Sequence, residues 1–203
     1  MRKSFNMTPL KPAVFLDRDG VVIGDTHYVH SIDKVRLLSG SAEAIAELNR
    51  AGWPVVIVTN QAGIARGFFS VETLHKINDH MAELLRGHGA RVDGVYYCPH
   101  HPEGDVLEYR RHCECRKPKP GMLLQAAREL GLDLTRSWMI GDRITDLEAG
   151  SAVGCRTVLV RTGYGNLVNP LELDREALKL ELISANLSDA VTKLGLISKS
   201  CVA

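Results

Sequence analysis

Five short apolar runs punctuate the chain, at residues 13–16, 55–58, 95–97, 138–140 and 157–160, and amphipathic stretches fill most of the gaps between them. Apolar runs of this length without polar alternation read as strands buried on both faces, and their alternation with helical patterns predicts a parallel α/β sheet. Residues 41–50 gather Ala42, Ile45, Ala46 and Leu48 on one face and stop at Ala51-Gly52, the signature of a helix ending ahead of a buried strand. Residues 70–85 repeat Leu74, Ile77, Met81 and Leu84 at helical spacing, with Ser70 as N-cap. Residues 120–130 predict a third helix and residues 146–153 a fourth. Between about residues 20 and 40 neither period holds, and a β-hairpin-like flap over the strand ends is expected. From about residue 166 to 203 the pattern weakens, leaving only a short closing helix over 187–194.

Composition narrows the classes. At 203 residues, 45% hydrophobic and 24% charged, the chain has the profile of one globular domain spanning 1–203. Its 25 basic and 24 acidic residues balance to a net charge of +1, so it lacks the basic field on which nonspecific nucleic-acid binding depends. Any phosphate recognition is therefore local, and no nucleic-acid partner is expected. No run approaches the roughly 18 apolar residues of a membrane helix, and Met1-Arg2-Lys3-Ser4-Phe5-Asn6 leads into no apolar core of a secretory signal. A cytoplasmic monomer without a membrane partner is expected. Three of the five cysteines, Cys98, Cys113 and Cys115, crowd into one region, which favours metal binding over a disulfide framework; Cys155 reads as a small core residue.

In an open parallel sheet, ligands bind beyond the carboxyl ends of the strands, so the polar residues after each run carry the chemistry. The run at 13–16 delivers Asp17 and Asp19, two residues apart and on one side of an extended chain, to the break at Gly20. A divalent cation would reconcile two such like charges, and an acidic turn would use the same residues. Thr59-Asn60-Gln61-Ala62 follows the second strand and offers a hydroxyl and backbone N–H groups; a strand-end Thr satisfying the backbone is the plainer reading. Asp142 follows the fourth strand and Asp146 recurs a helical turn later, facing either a shared site or a helix N-terminus. Together these acids are an oxygen-rich set of the kind Mg²⁺ prefers. Arg116-Lys117-Pro118-Lys119-Pro120-Gly121 puts cations, stiffened by prolines, just ahead of a helix. A solvated basic loop is the alternative; directed lysines would neutralise a transferring phosphoryl group.

Cys98-x-His100 and Cys113-x-Cys115 are two ligand pairs separated by a polar loop, and a Cys₃His set is a closed tetrahedral zinc site. His101 and His112 are the substitute ligands, and scattered surface thiols are the alternative. A closed set leaves no position for substrate, so the zinc would be structural; with Cys115 next to Arg116, it would also fix where Arg116 and Lys117 point.

Taken in order, Asp17-Arg18-Asp19-Gly20-Val21-Val22, Thr59, Lys117 and Gly141-Asp142-(x)₃-Asp146 resemble the signature of the haloacid dehalogenase superfamily of phosphotransferases. Within it, residues 59–67, Cys98-Pro99-His100-His101-Pro102 and 115–122 resemble the heptose 1,7-bisphosphate 7-phosphatase group, from about residue 13 to 163. The resemblance implies a Rossmann-like three-layer α/β sandwich with a mostly parallel sheet, no large cap domain and a zinc-binding loop inserted at about 98–115. It implies Asp17 as nucleophile and Asp19 as acid and then base, with Thr59 and Lys117 holding the phosphoryl oxygens. Mg²⁺ would be held by the Asp17 carboxylate, the Asp19 carbonyl and Asp142, with Asp146 behind them. Arg116 would recognise the second phosphate of a sugar bisphosphate. Arg18, Asp25, Thr26, His27, Tyr28, Asn60, Gln61, Ala62 and Arg143 complete the implied substrate contacts. Val21 departs from the Thr that family members often carry there. Histidinol-phosphate phosphatases share much of the pattern and form the alternative; a non-catalytic zinc-loop binding module is a third reading.

Overall fold

The computed structural model describes residues 9–24 and 28–197. Strand β1 (Val14–Leu16) lies in the middle of one sheet, paired on one side with β2 (Val55–Asn60) and on the other with β4 (Trp138–Gly141). With β3 (Gly94–Cys98), β5 (Arg156–Val160) and β6 (Leu180–Ser184), the order is β3-β2-β1-β4-β5-β6, and every pairing is parallel. The apolar runs make this sheet because both faces are covered. Val14, Leu16, Val55, Ile57, Trp138 and Ile140 pack into one core; the intervening Phe15, Val56, Val58 and Met139 pack into another. That two-residue alternation between two dry faces is why the runs lack polar positions.

Helices α1 (Ser41–Arg50), α3 (Val71–Gly87) and α6 (Leu187–Lys193) cover the first face through Ile45, Leu48, Ile77, Met81, Leu187 and Val191. Helices α4 (Gly121–Leu130) and α5 (Ile144–Ser151) supply Met122, Leu123, Ala126 and Ala149 to the second. The result is the expected three-layer Rossmann-like sandwich. Ser70 caps α3 by accepting the Thr73 N–H at 3.2 Å, and Gly131 closes α4 at φ 67°, as the end signals predict.

Three local expectations need correction. Strand β6 was not foreseen, because Glu181 is exposed and Leu182 and Ile183 are only half-buried, so an edge strand covered unevenly shows neither period. A four-residue helix, α2 (Ala62–Ala65), follows β2 directly and is too short to leave a periodic mark. In place of a β-hairpin, the described part of the 20–40 segment is a long loop. One antiparallel bridge, Ile23 to Leu37, closes its base, and a 3₁₀ turn spans Ile32–Lys34. Asp25, Thr26 and His27 lie outside the described residues. Among those described, no helix is long and apolar enough to cross a membrane.

From β1 the chain moves first to β2 and β3 on one side and only later to β4 and β5 on the other. That reversal opens a crevice beyond the carboxyl end of β1. The opposite end of the central pair is pinned by Ser137, fully buried, whose Oγ accepts the Ala13 N–H at 2.9 Å and donates to the Asp133 carbonyl. Ser137→Ala should leave the Ala13 N–H unpaired and lower stability by about 1–3 kcal/mol in urea unfolding; an unchanged midpoint would show that the strands need no such pin.

Candidate active site

The crevice holds a cavity of about 360 Å³ lined by Asp17, Asp19, Tyr28, Thr59, Asn60, Gln61, Ala62, Arg116, Lys117, Arg143, Thr145, Asp146 and Tyr164. Its floor is an arrangement of buried charges. Lys117 Nζ lies 2.9 Å from Asp17 Oδ1 and 2.7 Å from Asp146 Oδ1, and donates to the Val58 carbonyl at 2.7 Å. All three ammonium donors are thereby used, on the two acids and the β2 backbone. The lysine is held there from behind: Asn60 donates to the Lys117 carbonyl and accepts its N–H, both at 3.0 Å.

Asp142 completes the group, with one ligand oxygen each from Asp17, Asp142 and Asp146 lying within 4.8 Å of one another. Two glycines make room for it. Gly20 (φ +86°) and Gly163 (φ +51°) both sit in backbone conformations that disfavour other residues, and a Cβ on either would fall within 2.3 Å of Asp142 Oδ2. That oxygen accepts the Tyr164 N–H at 2.7 Å, while the buried Oδ1 has no hydrogen-bond partner. Burial and the neighbouring carboxylates push Asp17 up to about 8 against the opposing pull of Lys117; burial and Asp146 push Asp142 up to about 7. Burial works against the charge on Lys117, but Asp146 and Asp17 outweigh it and raise its pKa. Three acids around one cation leave surplus negative charge, and an orphaned carboxylate oxygen points into it. The donor set fits a hard divalent cation.

Asp19 sits apart from this group. Arg18, with no exposed surface, grips the Asp19 carboxylate with Nε and Nη2 at 3.0–3.4 Å and anchors its Nη1 on Asn78 of α3 at 2.9 Å. Gln61 Nε2 reaches both Asp19 Oδ2 and Thr59 Oγ1 at 2.8 Å. The cavity therefore brings together Asp17, Asp19, Thr59, Lys117, Arg116, Arg143, Tyr28, Gln61 and Ala62. It does not bring in the Arg18 side chain, which lies beneath the floor and is committed to Asp19. Asn60 lines the cavity, yet both ends of its amide serve the Lys117 backbone. Asp146 plays both roles its position allowed: Oδ2 accepts the Arg143 N–H at the start of α5 at 3.0 Å, and Oδ1 faces Lys117.

At the end of β3, Cys98, His100, Cys113 and Cys115 converge. The contacts run Cys98 Sγ to Cys113 Sγ 3.5 Å, Cys113 to Cys115 3.4 Å, Cys115 to His100 Nδ1 3.4 Å and Cys98 to His100 Nδ1 3.7 Å. A tetrahedron with bonds of about 2.0–2.3 Å has edges of about 3.3–3.8 Å, so the four ligand atoms already lie at zinc-site spacing. Hydrogen bonding within the cluster, first of all between Cys98 and Cys115, pulls the Cys115 thiol down to about 5 and pushes Cys98 up. His101 and His112 stay outside it. Arg116 follows directly and donates to the His100 carbonyl at 3.3 Å, which ties the cluster to the cavity rim.

Thr145 and Tyr164 are the lining residues that sequence reasoning missed; Tyr164 stands beyond the last apolar run and reaches the site only through the turn after β5. Arg143 stacks on its ring, 3.5 Å from guanidinium carbon to ring centroid.

Comparison with known proteins agrees with this architecture. Residues 114–190 match the family model described as HAD-hydrolase-like. The chain is 50% identical over 158 residues to the D-glycero-beta-D-manno-heptose-1,7-bisphosphate 7-phosphatase of Yersinia pestis, covering 77% of this chain and 84% of that protein. Its identity to the Escherichia coli K12 protein of that name is 47% over 153 residues, 75% of this chain and 80% of that one. A solved structure of D,D-heptose 1,7-bisphosphate phosphatase from B. bronchiseptica, complexed with magnesium and phosphate, superposes with a TM-score of 0.80 at 38% identity. The match covers 90% of this chain and 97% of that one.

Removing the central cation tests the electrostatics directly. Lys117→Met leaves Asp17 and Asp146 buried without their counter-ion, at a cost of about 3–5 kcal/mol. The Asp17 pKa then rises further above its unfolded value, so the folded state binds more protons and stability falls as pH rises. Urea unfolding should show the larger loss at pH 8 and the smaller at pH 5; the reverse order would contradict this account of the charges.

Proposed function

Because the chain belongs to the D-glycero-beta-D-manno-heptose-1,7-bisphosphate 7-phosphatase family of HAD-like hydrolases, we propose that it removes the 7-phosphate of D-glycero-D-manno-heptose 1,7-bisphosphate, a precursor of the lipopolysaccharide core. The observation that carries the reading is Asp17 at the cavity floor, 2.9 Å from the buried Lys117 ammonium and clustered with Asp142 and Asp146. A nucleophilic carboxylate, a fixed cation and a hydroxyl at one spot suit phosphoryl transfer, where positioning and charge neutralisation do most of the catalysis.

In this reading Asp17 attacks phosphorus with a carboxylate oxygen, the bond to the sugar oxygen breaks, and an aspartyl-phosphate forms on Asp17. Asp19, held beside the cavity by Arg18 and Gln61, protonates the departing sugar oxygen and then takes a proton from the water that hydrolyses the acyl phosphate, restoring Asp17. Thr59 and Lys117 bind the phosphoryl oxygens. Mg²⁺, held by the Asp17 carboxylate, the Asp19 carbonyl and Asp142, would supply electrostatic stabilisation of the phosphoryl group; the unpartnered Asp142 Oδ1 supports that site. Arg116 and Arg143 line the same cavity and supply the positive charge for the second phosphate, with Tyr28, Gln61 and Ala62 shaping the space for the sugar.

Zn²⁺ in the Cys98, His100, Cys113, Cys115 cluster would have a structural part. Those four ligands would then tie the end of β3 to the segment that carries Arg116 and Lys117, with no ligand position left for substrate.

Two measurements test the reading. Asp17→Asn should abolish phosphate release from the heptose bisphosphate while circular dichroism and the melting temperature report an intact fold, with histidinol phosphate as control substrate; retained turnover would sink the proposed nucleophile. Metal analysis should find about one zinc per chain. Stripping it should cost about 10- to 100-fold in activity, restored by Zn²⁺ and not by Mg²⁺ alone; full activity without zinc would remove its proposed structural part.

A further inference from the structure

Arg143 and Tyr164 come from different turns. Arg143 immediately precedes α5, and Tyr164 sits in the 3₁₀ turn Gly163–Leu167 after β5. The guanidinium nevertheless lies flat over the phenol ring at 3.5 Å, a close cation–π contact. The turn that carries the ring is itself secured at two points. The Tyr164 N–H is bound to the buried Asp142 carboxylate at 2.7 Å, and Arg161 braces the turn by donating to the Val168 carbonyl at 3.3 Å and the Asn166 carbonyl at 3.5 Å. Arg143 and Tyr164 also line a second, more apolar cleft of about 350 Å³ with Leu167, Val168 and Leu173, so the stacked pair, with Thr145, borders both that cleft and the catalytic cavity.

An exposed arginine at a cavity rim samples many rotamers, and binding an anion must freeze them. A rigid ring that already fixes the guanidinium plane removes most of that cost. We propose that Tyr164 is a specificity-determining positioning residue: its ring holds the Arg143 guanidinium ready for the substrate's second phosphate, so discrimination between bisphosphate and monophosphate runs through it. The inference rests on the reading of Arg116 and Arg143 as receptors of that phosphate. Tyr164 itself contacts no reacting atom in this scheme; it acts through Arg143.

The test compares phosphate release from heptose 1,7-bisphosphate and heptose 7-phosphate by the wild type, Tyr164→Phe, Tyr164→Leu, Arg143→Lys and the Tyr164→Leu/Arg143→Lys double variant. Loss of the stack should lower kcat/KM of Tyr164→Leu on the bisphosphate by about five- to twentyfold, and on the 7-phosphate by a distinctly smaller factor. Tyr164→Phe keeps the ring and should rescue the preference for the bisphosphate. Arg143→Lys keeps the charge but loses the planar stack. It should show the same selective loss, and it carries the test if Tyr164→Leu fails to fold. Since the two residues act as one unit, the double variant should be little worse than either single variant. Equal losses on both substrates, or losses that add in the double variant, would overturn the inference, because the ring would then serve only the Asp142 turn. A wild type with no preference for the bisphosphate would overturn the phosphate-receptor reading and this inference with it. A preference that survives Tyr164→Leu would leave that reading standing and remove only the part played by the ring.

Discussion

A single ammonium group, Lys117 Nζ, sits among three buried carboxylates, and the arrangement of the site answers to that imbalance. One cation cannot neutralise Asp17, Asp142 and Asp146, so the folded chain carries a deficit of positive charge at the bottom of its main cavity. Like charges this close are tolerated only where something restores the balance. A divalent cation held there would do so in part, and would draw phosphoryl oxygens to the same spot. Features scattered along the chain serve this one constraint: glycines at positions 20 and 163 that leave room for Asp142, the Asn60 amide that fixes the lysine backbone, and the Val58 carbonyl that takes the third ammonium proton.

Asp17 and Asp19 are chemically identical side chains two residues apart, and their surroundings separate them. Asp17 faces the acidic cluster and the lysine. Asp19 is turned toward Arg18 and Gln61, away from the other carboxylates. The separation depends on a buried arginine whose own anchor, Asn78, is a polar residue on the apolar face of α3. A helix periodicity that brings Leu74, Ile77 and Met81 inward also brings Asn78 inward, where an unpaired amide would be costly. Its use is to hold Arg18.

Residues whose chemistry follows directly on a strand were legible in the sequence, because the end of a parallel strand is a defined place. Asp17, Thr59, Asp142 and Lys117 could each be named from the run or helix beside them, and the Cys98/His100 and Cys113/Cys115 spacing announced its own cluster. What resisted reading depends on approaches between distant segments. Arg18 resembles a substrate contact by its position between two acids, and only the packing of α3 beneath it shows that it points inward. Tyr164 lies in a stretch with no period, and its relation to Arg143 exists only because β4 and β5 are neighbours. Strand β6 was hidden for the complementary reason, since an unevenly covered edge strand lacks the continuous apolar run that betrays a central one.

The position of β1 has a consequence for how such a chain is born. Val14 pairs with Val55 on one side and with Trp138 on the other, so a strand made near the start of the chain is enclosed only when one made more than a hundred residues later arrives. The early half can build β1, β2 and β3 as a three-stranded unit, but β1 is then an edge strand and stays open on one side until β4 arrives. Closing so long a loop is slow compared with local helix formation. Until it closes, Asp17 has neither Asp142 nor Asp146 beside it. Competence to handle phosphate therefore arrives late, with the same event that encloses β1.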